Sequence, residues 1–247
     1  MTLRMELWVE GVTDARTKRR QDEEADEERP LAEGGALVPL VRKILGSAEG
    51  MNRAALDEAL PEEEMVAHRL QNRFRDMVKL DDGERRRKLS TKGWKVLAAI
   101  RKARRENPDT LIVAVWDRDR DDAPLRDRDQ IHDALRTHGQ TGAAVGVCVE
   151  EIEAWLLADP GAFRRVFGRG PKGGLSSSPE DEPNPKAKLN DVLDSYPEFE
   201  DRVLTYRKLA EEIDIEALAR SCPRGFDKLR TALCEFIIEP HIRAPRR

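Results

Sequence analysis

Cysteine is scarce in this chain: Cys148, Cys222 and Cys234 are the only three among 247 residues, and no two share a metal-binding spacing. An odd, scattered set excludes a disulfide framework and a thiolate zinc site, and fits a reducing compartment. Aromatic residues supply 5% of the chain, too few for the stacking platforms that hold single strands. No sign of charge dominates, since 44 Lys and Arg face 48 Asp and Glu for a net of −4. No global field therefore pulls the protein toward nucleic acid or an anionic membrane, and such contacts must come from local patches. Apolar runs fall well short of the roughly 20 residues of a membrane span, and MTLRMELWVEG lacks a signal-peptide pattern. The expected location is the cytoplasm, with no membrane partner. A G-x-x-x-x-G-K-S/T phosphate loop is also missing, which excludes a self-contained ATP motor.

What is present is periodic. Leu3, Met5, Leu7 and Val9 alternate with Arg4, Glu6, Trp8 and Glu10, predicting a strand with one face in the core that ends at Gly11. A charged flap, TDARTKRRQDEEADEERP, follows and reads as a solvated loop. Leu37, Leu40, Val41, Ile44 and Leu45 predict a core-facing helix to about Gly46. Residues 47–90 read as a charged insertion, in which Val66, Leu70, Phe74, Met77 and Val78 suit a long helix and Phe74–Leu80 suits a short strand. A further helix runs from Trp94 to Asn107. Leu111–Trp116 and Ala143–Val149 are continuous apolar runs of the kind that fill buried parallel strands, with a helix from Gln130 to His138 between them.

Strand–helix–strand alternation predicts an α/β fold: a Rossmann-like parallel sheet flanked by helices. Beyond Asp159 the strand signals stop. Helical stretches at Ala187–Leu193, Tyr206–Ile213 and Phe226–Ile237 follow a Gly/Pro/Ser-rich loop at about 168–185. The expected organisation is an α/β core over 1–160, with the insertion at about 47–90, and a helical C-terminal region over 161–247 packed on it. His68, His132, His138 and His241 form no motif and are expected at the surface, whereas Trp155 is expected in the core.

Acids stand at every expected strand end: Glu10 with Asp14; Asp117 and Asp119 with Asp121 and Asp122; and Glu150, Glu151 and Glu153. Parallel sheets bind ligands at those ends. Two carboxylates about 4 Å apart repel by about 4 kcal/mol at an effective dielectric of 20, so such a cluster takes up protons or a cation. All-oxygen donors select Mg²⁺, Mn²⁺ or Ca²⁺ over zinc. An acid after a strand also serves as a turn residue or helix N-cap, and Asp14, Asp121 and Asp122 carry both readings. Asp117 and Asp119 alternate out of a buried strand and can face one crevice. An EF-hand starting at Asp117 is excluded, because its sixth and twelfth positions are Asp122 and Arg128.

The segments VEGVTD and VAVWDRDRDD resemble the TOPRIM fold of topoisomerases, primases and the overcoming-lysogenization-defect nucleases, with its Glu-Gly turn and later D-x-D. VEEIEAWLLAD and YRKLAEEIDIEAL…CPRGFDKL are similar to an uncharacterised bacterial TOPRIM-like family encoded beside an ATPase. The resemblance implies that Glu10 is the catalytic glutamate and that Asp117 and Asp119 are the Mg²⁺ or Mn²⁺ pair. Asp14 then matches the second acid of the nuclease branch, and Glu153 a further acid. Lys208, with Lys188 behind it, suits a lysine that stabilises transition-state charge, though both also read as surface residues. The implied partners are nucleic acid, DNA before RNA, and an ATPase. The charged flap and the insertion depart from a minimal TOPRIM core, and one strand of that core has no assigned segment.

The expectation is therefore a Mg²⁺-dependent, phosphodiester-cleaving nuclease. Two alternatives stand beside it: a phosphatase forming an aspartyl-phosphate at Asp117, whose fifth position, Asp121, departs from the usual Thr or Val, and a non-enzymatic metal-binding subunit that docks an ATPase.

Overall fold

The computed structural model describes residues 3–9, 35–47, 53–69, 89–118, 120–172, 174–197, 199 and 201–243. Its strands, β1 (Arg4–Val9), β2 (Met65–Arg69), β3 (Thr110–Asp117) and β4 (Ala143–Cys148), are all parallel and lie in the order β2-β1-β3-β4. The fold is α/β, with a parallel sheet flanked by helices. Thr110 to Trp116 are all buried, as a central strand covered on both faces requires. Met5 and Leu7 are fully buried, while Arg4 is exposed and Glu6 half-buried, so the alternation marks the inner face at the start of β1; it fails at Trp8, expected on the outer face but buried at 1% exposure.

β2 corrects the reading of residues 47–90. Val66 begins no helix: it lies within a strand paired with β1, Met65 opposite Met5 and Val9 opposite Arg69. Met65 and Ala67 are buried between half-buried Val66 and His68, a period of two that the helical spacing from Val66 onward obscured. The segment read as an insertion therefore carries the edge strand of the sheet. Its remaining alternative, a strand at 74–80, lies outside the described residues, as does the charged flap after Gly11.

Helices α1 (Leu37–Ser47) and α2 (Arg53–Ala59) connect β1 to β2, and α3 (Thr91–Glu106) leads into β3. Ser90 caps α3 by accepting from the Gly93 N–H at 3.1 Å, and buried Asp127 in turn accepts from the Ser90 N–H at 2.9 Å. Helix α4 (Ala123–Thr137) starts seven residues earlier than its apolar spacing suggests, with Pro124 in its first turn.

After β4 come α5 (Glu153–Leu156), α6 (Pro160–Phe167), α7 (Pro185–Leu193), α8 (Arg202–Glu212), α9 (Ile215–Ser221) and α10 (Phe226–Leu233), which continues as a π-helical stretch, Cys234–Arg243. Helix α10 packs against β4. Cys148, Cys222 and Cys234 remain thiols, the first two buried.

His132 is the second correction. It is 7% exposed, stacks on Phe236 with ring centroids 5.3 Å apart, and its Nε2 accepts the Val145 N–H at 3.1 Å. That contact, with Gly142 N–H donating to the Phe236 carbonyl at 2.7 Å, occupies donors along the outer edge of β4. A histidine on the inner face of α4 serves the sheet edge, which spacing alone could not reveal. Trp155 is fully buried, edge-on to Phe226. No described helix is long and apolar enough to cross a membrane.

Candidate functional site

The strand order creates a single reversal. From β1 the chain moves outward to β2, then crosses back over β1 to β3 and on to β4. The switch point lies between β1 and β3, and open α/β sheets bind ligands outside the carboxyl ends of the strands at such a point. Val9, the last residue of β1, is in register with Val115, and Asp117 closes β3 opposite Cys148. Asp117 is half-buried there. Glu10, Asp14 and Asp119 lie outside the described residues.

The other acids at these ends have identifiable partners. The Arg118 guanidinium forms an ion pair with Glu150 and stands 3.6 Å from Asp122. The Asp121 carboxylate accepts from the Ala123 N–H at 2.9 Å, so Asp121 takes the turn role. Glu151 accepts from the Lys186 N–H at 3.3 Å in the first turn of α7, whose cap Asn184 accepts from the Ala187 N–H at 3.1 Å. Glu153, 2% exposed, lies 3.9 Å from the Lys186 ammonium. Asp159, at the end of the same acidic segment, caps α6 and pairs with Arg165, which makes it structural.

Two non-glycine residues here hold left-handed backbone, Arg120 with φ 61° and Glu150 with φ 66°. Such conformations cost on the order of 1–3 kcal/mol and persist where the surroundings enforce them. Between them lies a pocket of about 280 Å³ lined by Arg120, Glu150, Glu151, Pro183, Asn184 and Pro185. Arg120 donates to the Pro183 carbonyl at 3.2 Å across it.

Lys208 sits on the exposed side of α8, its ammonium 5.5 Å from the Phe199 ring centre. Lys186 contacts Glu153, an acid beyond the end of β4, and was not among the residues expected at the site. Its signal was the N-P-K start of α7, with a cap residue, proline and then the lysine.

Among the described residues, no three His, Cys, Asp or Glu side chains form a group able to hold a metal ion. The Asp117 carboxylate is a hard oxygen donor of the type that suits Mg²⁺ or Mn²⁺.

The model of a protein family described as a domain of unknown function, DUF4276, matches residues 32–234. No curated protein and no solved structure matches the chain.

Proposed function

The chain belongs to the DUF4276 family, and we propose that it is a TOPRIM-like, metal-dependent nuclease whose centre lies at the switch point between β1 and β3. One observation carries the reading: β1 and β3 are neighbouring parallel strands with Val9 opposite Val115, Glu10 being the next residue after Val9 and Asp117 the second after Val115. Residues more than a hundred positions apart in sequence thus leave adjacent strands at the end where such sheets bind ligands.

In this reading Glu10, Asp117 and Asp119 hold Mg²⁺ or Mn²⁺, which supplies Lewis-acid polarisation of a phosphodiester and a nucleophilic water. Asp14 and Glu153 are the acids for a second ion. Glu153 shares its carboxylate with Lys186, so a cation there competes with an ammonium and Glu153 contributes less than Asp117. The pairing of Glu150 with Arg118 leaves one fewer carboxylate to repel the phosphate. Arg120 and Lys186 supply positive charge beside the strand ends, where a nucleic-acid backbone needs it. The substrate is nucleic acid, DNA before RNA, in the cytoplasm. The ATP-driven step, absent from this chain, falls to an ATPase partner.

Purified protein incubated with Mg²⁺ or Mn²⁺ on plasmid and oligonucleotides tests the proposal. Asp117→Ala is expected to cut turnover at least about 100-fold, as loss of a metal ligand does. Equal cleavage by that variant refutes the assignment. Metal binding without turnover, even beside the ATPase, favours the non-enzymatic subunit instead.

A further inference from the structure

We propose that the solvent face of α3 is a docking surface for the phosphate backbone of duplex DNA. The inference rests on the nucleic-acid part of the reading above and deepens it, but it involves no metal. Helix α3 carries six Lys and Arg against one acid, Glu106, in a chain whose net charge is −4. Its apolar side, with Trp94, Val96, Leu97 and Ile100, is buried in the core. Arg104 is turned inward as well, donating to the Thr110 carbonyl at 2.5 Å.

What remains outside is a cationic stripe. Lys95 and Arg105 are exposed, and the Lys102 side chain is 39% exposed. At 3.6 residues per turn these three positions fall within one arc of the helix, and they span about 15 Å along its axis. Duplex DNA presents one charge per about 1.7 Å of its own axis, so the stripe meets a continuous row of phosphates. Lys102 stands 3.9 Å from Glu106, but that pair is solvent-exposed and weak, so a phosphate oxygen can take the place of the carboxylate.

The composition of the face selects the occupant. A helix that lies on a membrane needs its apolar side free to enter the lipid, and that side of α3 is packed inside the protein. A protein interface needs apolar anchors at its centre, yet the one exposed large hydrophobic among the described residues, Leu204, is on α8. A single strand needs aromatic rings to stack on, and the stripe has none. A duplex backbone needs only the cations.

Fluorescence anisotropy of a short labelled DNA duplex, titrated with the full chain in EDTA over a KCl series, tests the assignment without turnover. Combining Lys95→Gln, Lys102→Gln and Arg105→Gln is expected to weaken binding at least about 10-fold. The slope of log affinity against log salt should flatten by about 2.7, at about 0.9 per lost phosphate contact. Gln is nearly as good a helix former as Lys or Arg, which favours an intact fold. A second triple variant, Arg164→Gln, Lys172→Gln and Arg220→Gln, removes the same charge from exposed positions on α6, the loop after it and α9. It is expected to keep the wild-type slope and to stay within about threefold in affinity. Equal losses in the two variants, or none in the α3 variant, overturn the inference while leaving the metal-dependent reading intact. Should the α3 triple variant not fold, Lys102→Gln alone replaces it, with a slope change of about 0.9 expected and an unchanged slope overturning the inference. A wild-type chain that binds no duplex overturns the inference and the nucleic-acid reading together. Binding to phosphatidylserine vesicles in place of the duplex, lost in the α3 variant, overturns it in favour of a membrane.

Discussion

Val9 of β1 and Val115 of β3 are register partners in neighbouring parallel strands; Glu10 is the next residue after Val9, and Asp117 is the second after Val115. The pairing joins two segments that the sequence separates by β2, α3 and the intervening loops. It also puts the topological switch of the sheet at the same place, since the strands on either side of β1 and β3 were added in opposite directions.

Gly225 is expected to accept no side chain. A Cβ there would stand 2.6 Å from the Val147 carbonyl oxygen and 2.9 Å from a Glu180 oxygen, so the start of α10 meets β4 too closely for one. Gly225→Ala should cost about 2 kcal/mol, the usual scale for overpacking, and lower the melting temperature by roughly 5 °C in calorimetry. An unchanged melting temperature would mean that α10 lies farther from the sheet.

Asp159 ties α6 to α9. Its carboxylate accepts the Gly161 N–H at 2.7 Å and the Asp214 N–H at 3.0 Å, and pairs with Arg165 at 2.7 Å. Burial works to raise its pKa, but those bonds together outweigh it and hold the carboxyl below its usual value. The stabilisation is therefore present above the unfolded-state pKa and is lost as pH falls through the lower native one. Asp159→Ala should cost about 3 kcal/mol at neutral pH in urea unfolding, and the gap between variant and wild type should narrow in acid. A cost below about 1 kcal/mol would contradict the network.

The element pattern was largely legible. The apolar runs of β3 and β4 and the alternation of β1 need only local chemistry to be recognised. β2 was hidden because Met65–Arg69 is five residues long and abuts residues at helical spacing, so the tertiary pairing with β1 decided its state. Of the candidate site, Asp117 and Glu153 were found as residue types. The ion pairs around them, Arg118 with Glu150 and Lys186 with Glu153, join segments 32 and 33 positions apart and exist only in the folded chain.

His132 should shape the acid limb of stability. Burial, with Arg128 and Arg136 nearby, lowers its pKa to about 4. The native protein keeps the ring neutral, accepting from Val145, whereas the unfolded chain protonates it near pH 6.5. Stability is thus fully present above pH 6.5 and falls as pH drops toward 4, by about 3 kcal/mol in all. His132→Gln should flatten that limb in urea midpoints measured across the range. An equal slope in the two proteins would show that His132 is accessible to protons.

Lys186 and Lys208 should separate kinetically. Lys186→Ala is expected to reduce metal-dependent cleavage at least about 10-fold, since its ammonium lies 3.9 Å from Glu153 beyond β4, and Lys208→Ala to change it less than about twofold. The reverse order would return the charge-stabilising role to α8.

A metal ion between the ends of β1 and β3 is the central expectation. A crystal soaked in Mn²⁺ and measured for anomalous scattering should show a peak about 2.1 Å from a carboxylate oxygen of Asp117, with Glu10 on its other side. A map with no peak there, and Asp117 paired instead with an arginine, would contradict it.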